Sequence, residues 1–130
     1  MRTVDFTLDA ARFDDIAGFY REINRLFMAA EDWQLGESLD ALDDLLYGGF
    51  GALAGVGQAR LIWRGIKKSR ADLGLAATQA WLCAKLDQPQ FDTTAIRDQL
   101  KALERGEGQT YFEIIVGIFA DHPNIELVPA

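Results

Sequence analysis

Residues 3 to 8, Thr-Val-Asp-Phe-Thr-Leu, alternate polar with apolar side chains, and the next extended run, Ala59 to Arg64, comes only after two stretches whose apolar residues recur every three or four positions. Alternation is the mark of a half-buried strand, and the three-to-four spacing that of an amphipathic helix. Strands separated by helices cannot close as a tight hairpin; the connection must cross over, which pairs them in parallel. A third extended run, Asn124 to Val128, follows further helical sequence. The chain is therefore expected to be α/β, a small parallel sheet of about three strands packed with helices, as one domain over residues 1–130.

The element boundaries carry their own signals. Asp14 or Asp15 can open the first helix, in which Ile16, Phe19, Tyr20, Ile23, Leu26 and Phe27 recur up to about Ala30. After the connector EDWQLGE, residues 31–37, Ser38 can cap a second helix that Gly48 and Gly49 stop, because glycine takes the left-handed turn that ends helices. ARLIWR, rich in Leu, Ile and Trp, reads as a buried strand, and Lys67 to Gly74 as a turn or short helix. Two helical segments follow, residues 75–86 and residues 93–106, the second with Asp92 as cap, Ile96, Leu100 and Leu103 as its apolar stripe and Gly106 as its stop. Thr110 and Glu113 form a capping box ahead of residues 114–120, and Pro123 ends that helix before the last strand.

With 130 residues, 49% hydrophobic and 25% charged, the chain can bury one core. Its net charge of −7 is unevenly spread: residues 1–56 hold eleven acids against four bases, residues 57–130 nine of each. Between Arg25 and Arg60 there is no Lys or Arg, yet Glu31, Asp32, Glu37, Asp40, Asp43 and Asp44 fall in that window. Direct nucleic-acid binding needs a basic footprint and is disfavoured; a basic protein partner is favoured. No segment has the apolar length of a membrane span, and the alternating start is not the apolar core of a signal peptide. With Cys83 the sole cysteine no internal disulfide forms, which points to the reducing cytoplasm.

On a helical wheel Leu35, Leu39, Leu42 and Leu46 gather in one arc, and Glu37, Asp40 and Asp44 on the other side. Asp40 and Asp44 stand one turn apart, where like charges cost about 0.2–0.5 kcal/mol. Asp43 and Asp44 lie toward the C-terminal end, where the helix dipole disfavours anions. Helix stability does not select this pattern; a solvated face or a surface kept for a cationic partner does. Trp33 in the connector and Tyr47, one turn after Asp43, add aromatic surface beside the carboxylates, as contact surfaces do, although Trp33 could equally cover one end of the core.

These residues resemble the barstar family of intracellular ribonuclease inhibitors. The family's Gly-Glu-Asn-Leu-Asp-Ala-Leu at the start of its second helix stands here as Gly36-Glu37-Ser38-Leu39-Asp40-Ala41-Leu42, a match at six of seven positions, and Asp44 falls at the second inhibitory aspartate. Trp63-Arg64 followed by four residues and Ser69, and a last helix ending at Phe119, extend the likeness over roughly residues 1–74 and 109–128. The resemblance implies a 1:1 blocker, not an enzyme, with no cofactor, metal or membrane. Its second helix and the loop before it would plug the cleft of a basic, barnase-like ribonuclease, the aspartates standing where RNA phosphates bind. It implies Asp40 against the enzyme's catalytic histidine region, Asp44 among its phosphate-binding arginines and Asp121 at another acidic contact. Trp33, Gln34, Leu35, Glu37, Ser38, Leu39, Asp43, Tyr47 and Gly48 complete the expected partner-binding set. Asp43 replaces the family's tryptophan between the two aspartates, Gln34 an aromatic and Ser38 the asparagine; Tyr47 and Trp33 are candidate replacement aromatics. Residues 75–108 have no counterpart in the family and read as an inserted helical pair that packs.

Other signals are weaker. Gly49-Phe50-Gly51 with Gly55 follows a helix and precedes a strand, the reverse of a dinucleotide loop. Cys83, within the apolar run Trp81 to Leu86, reads as an inert core thiol; the lone His122 precedes Pro123 in a turn, without a pattern that orients a catalytic pair. EDWQLGE lacks the spacing of a calcium loop, and outward helix carboxylates rarely have the pocket that a general acid needs. The competing reading is an acidic adaptor or self-associating module that turns the same helix toward a basic protein other than a nuclease.

Overall fold

In the computed structural model, which describes residues 3–130, three strands run parallel in the order β1 (Thr3–Asp9), β2 (Gln58–Arg64), β3 (Ile125–Pro129), with β2 in the centre. Helices α1 (Ile16–Phe27) and α2 (Leu39–Leu46) fill the first crossover; α3 (Ile66–Asp72), α4 (Leu75–Lys85), α5 (Thr93–Glu104) and α6 (Tyr111–Ala120) fill the second. The expected α/β class and the parallel sheet are thus present; Met1 and Arg2, ahead of the first extended run, lie outside the described residues.

The alternation in β1 decides which face is covered. Phe6, Leu61 and Leu127 form one inward row, and Leu8 and Trp63 belong to the next, while Asp5, Arg60 and Glu126 form an exposed row on the other face. There Arg60 pairs with Asp5 at 2.7 Å. The central strand is therefore not buried on both sides as the run ARLIWR suggests: Arg60 and Arg64 point to solvent, and only Ala59, Leu61 and Trp63 enter the core. Trp63 lies at the centre of that core, its ring 5.9 Å from Phe19, 5.6 Å from Phe112 and 6.2 Å from Phe119. Its indole N–H donates to the Ser69 hydroxyl at 2.9 Å, which satisfies a donor that burial would otherwise strand and gives the Trp-Arg-x4-Ser spacing a physical reason.

Side-chain caps set the starts of α1, α5 and α6. The Asp15 carboxylate accepts the Gly18 N–H, Asp92 accepts from Thr94 and Ala95, and Thr110 and Glu113 complete both arms of their capping box. α1 ends at Phe27, one turn before Ala30, and α3 is the short helix allowed for after β2.

α1 also carries a buried acid. Burial by itself would raise the Glu22 carboxyl, but hydrogen bonds from the Arg25 guanidinium and the Asp9 N–H, with the charges of Arg25 and Arg12, outweigh it and hold Glu22 below its ordinary value of 4.5. A folded-state value below the unfolded one means that the stabilisation is complete above pH 4.5 and is lost as pH falls through the folded value. Glu22→Gln is expected to lower stability at neutral pH by about 1–3 kcal/mol, through the lost charge-assisted bonds, and to flatten the acid limb. Urea titrations at a series of pH values check this; acid limbs that run parallel in the two proteins would contradict it.

α4 and α5 bury Leu82, Ile96 and Leu103 in a small cluster of their own. They dock on α6: the Thr78 hydroxyl accepts the Tyr111 N–H at 2.8 Å, and the Trp81 ring meets Tyr111 edge-on at 4.8 Å. The Tyr111 and Tyr20 hydroxyls share a buried hydrogen bond of 2.6 Å that ties α6 to α1, and burial raises both above the ordinary tyrosine value, Tyr20 strongly, so both stay neutral. Cys83 is exposed, which corrects its reading as a core thiol: on α4 only Thr78 and Leu82 are fully inside, and Cys83 is rotated about 100° from Leu82. Among the described residues no helix is long and apolar enough to cross a membrane.

Candidate protein interface

The connector before α2 is held from below by one polar side chain. Asn24 lies on the buried side of α1; its amide N–H donates to the Leu35 carbonyl at 3.1 Å, and its oxygen accepts the Leu35 N–H at 2.8 Å. Leu35 is buried, so its side chain belongs to this domain's core. Trp33 projects from the same connector with its ring 5.0 Å from Phe50, and at 45% exposure it stands at the rim and does not seal the core. Gln34 beside it is exposed.

α2 then starts where Ser38 caps it, the hydroxyl accepting the Ala41 N–H at 3.2 Å. Leu42, Leu45 and Leu46 are fully buried, and Leu39 and Ser38 half-buried. The inward arc thus differs from the expected one: the helix begins at Leu39, so Leu35 reaches the core from the connector and Leu45 takes its place on the helix. At the far end Gly48 adopts φ +84°, a left-handed turn, and the Asn124 amide donates to the Leu46 carbonyl at 3.0 Å. His122, buried, lies 2.7 Å from the Asp43 carboxylate through Nε2, and the Tyr47 ring meets the imidazole edge-on at 4.6 Å. The turn between α6 and β3 therefore clamps the C-terminal half of α2, as Asn24 fixes the approach to its N-terminus.

Between these clamps Glu37, Asp40 and Asp44 are exposed. Some of the chain's other charges pair internally: Arg60 with Asp5, Arg12 and Arg25 with Glu22, Lys68 with Asp72, Arg105 with Glu107. Among the described residues none of Glu37, Asp40 and Asp44 has an ion-pair partner. Asp43 differs: half-buried, it has one oxygen already bonded to His122 inside the domain. Tyr47 is 73% exposed at the end of the arc. Asp121, exposed at the end of α6 and adjacent in sequence to His122, joins the same end of α2.

Four features went unread in the sequence. Asn24 had a signal, a polar residue within the stripe Tyr20, Asn24, Phe27; His122, Asn124 and the wall described next had none. That wall belongs to α4 and the loop after it. Trp81, Lys85 and Phe91 face Glu37 and Asp40 across an open cleft of about 440 Å³ floored by Leu39 and Tyr111. Among the described residues no three of His, Cys, Asp and Glu are placed to hold a metal ion.

No family model, curated protein or solved structure matches the chain. What this surface can do follows from its chemistry. A clamped helix presents unneutralised carboxylates flanked by two exposed aromatics, a surface whose local field favours cations and whose backbone is already ordered.

Proposed function

We propose that this protein is a barstar-like ribonuclease inhibitor, which binds a basic, secreted-type ribonuclease one to one through α2 and the connector before it. The observation that carries the reading is the surface at the start and along the outer side of α2: Glu37 just before the helix and Asp40 and Asp44 on it are exposed, and among the described residues none of the three has an ion-pair partner. The likeness of Gly36 to Leu42 and of Asp44 to the family motif supports the same reading, as does the parallel sheet with helices over one face. Asp44 enters the enzyme's phosphate site and pairs with arginines there, Asp40 lies against the catalytic histidine region, and Trp33 and Tyr47 close the rim against water. No bond is made or broken; the inhibitor occupies the cleft and excludes RNA.

The test is a titration of RNA cleavage by a panel of basic microbial ribonucleases with the purified protein. The expected result is a linear fall in cleavage that reaches its floor near one equivalent for a cognate enzyme. Binding without loss of cleavage would favour the adaptor reading, and neither binding nor loss across the panel would remove the inhibitor reading.

A further inference from the structure

Residues 75–108 carry chemistry beyond packing. Lys85 on α4 holds its ammonium 3.8 Å from the centre of the Trp81 ring and 5.0 Å from that of Phe91. Burial lowers its pKa from the ordinary lysine value, and among the described residues it makes no ion pair. Across the cleft, Glu37 and Asp40 are carboxylates without a cation. Two aromatic rings that already hold a positive charge thus stand opposite two acids that lack one, around an open space of about 440 Å³.

We propose that this cleft is an arginine pocket: a guanidinium from the partner displaces Lys85 from the Trp81–Phe91 wall and pairs with Glu37 and Asp40. The proposal rests on the reading that the partner is basic, and adds which of its side chains the α4–α5 segment selects. Carboxylates on one wall require a cation, and a planar fork of N–H donors engages them directionally. Aromatic faces on the other wall favour a cation that stacks, and a guanidinium is more weakly hydrated than an ammonium, so it loses less on entering a half-dry cleft. Lys85 sits on a long flexible stem and returns to water, where the hydration that burial removed is restored.

The experiment has two arms, each with the intact protein, Phe91→Ala and Lys85→Met. Phe91 lies in an exposed loop, and Lys85→Met keeps the stem that covers Trp81, so the fold is retained. In the first arm, affinity for a ribonuclease that the intact protein inhibits is measured at low and high salt. Phe91→Ala is expected to weaken binding about three- to tenfold, and Lys85→Met to tighten it, with a gain that persists at high salt where a mere change of net charge would be screened. Either variant leaving affinity unchanged overturns the pocket and leaves the inhibitor reading standing. In the second arm, N-acetyl-arginine amide is titrated against N-acetyl-glycinamide while the Trp81 indole N–H is followed by NMR. Saturable shifts with arginine alone, reached at lower concentration in Lys85→Met, support the pocket even if no ribonuclease is inhibited. Absence of an arginine-specific shift overturns it.

Discussion

Asp44→Ala is expected to weaken binding of an inhibited ribonuclease by more than about 2 kcal/mol, about thirtyfold in Kd, while leaving the fold intact. Asp44 is exposed and serves no base of its own domain, so its removal strands nothing internally. It also relieves the repulsion with Asp40 one turn away, about 0.2–0.5 kcal/mol, so the melting temperature is expected to stay level or rise slightly. In the complex the same change leaves a desolvated guanidinium without its counter-charge, and truncating one member of such a pair costs about 2–5 kcal/mol. Titration calorimetry with parallel thermal melts separates the two effects. Unchanged affinity would exclude α2 as the contact, and a collapse of the fold would mean that the carboxylate is structural after all.

Asn24→Ala is expected to be the most damaging single change outside the apolar core. It removes both partners of the Leu35 backbone, leaving a buried N–H and a buried carbonyl unsatisfied. Each such group costs about 1–3 kcal/mol, reduced where water can enter, so a loss of about 2–3 kcal/mol of stability is anticipated in urea titrations. Affinity for a basic partner is expected to fall too, since the connector that carries Trp33 and Glu37 would have to be ordered on binding. Stability equal to that of the unaltered protein would show that the connector is held by other means.

What could be read beforehand was what neighbours in sequence decide. The caps at Asp15, Ser38, Asp92 and Thr110–Glu113 were legible because each closes a hydrogen bond within three residues. The parallel sheet was legible because helical repeats between the extended runs leave no room for hairpins. The outward side of α2 was legible from its charges, its inward side less so, because the first leucine of the arc belongs to the connector. The clamps were not legible: His122 meets Asp43 across 79 positions, and Asn24 meets Leu35 across eleven, contacts set by how α6 and α1 lie against α2. Cys83 was misread because α4 is apolar on most of its circumference, so periodicity cannot say which side turns inward. The cleft wall was missed for a similar reason, since Trp81, Lys85 and Phe91 meet Glu37 and Asp40 only once α4 has docked on Tyr111.

The central claim is that the α2 carboxylates are kept without internal partners so that they can meet cations in another molecule. Its most direct test is the association rate with an inhibited ribonuclease, followed from low to high ionic strength for two variants of equal charge. One is Asp40→Asn with Asp44→Asn on α2; the other, Asp98→Asn with Glu126→Gln, removes two exposed acids on α5 and β3. The α2 variant is expected to associate about tenfold or more slowly at low salt and to lose most of the salt dependence, while the remote variant stays close to the unaltered protein. Equal slowing in both would mean that only the total charge matters, and would contradict the claim.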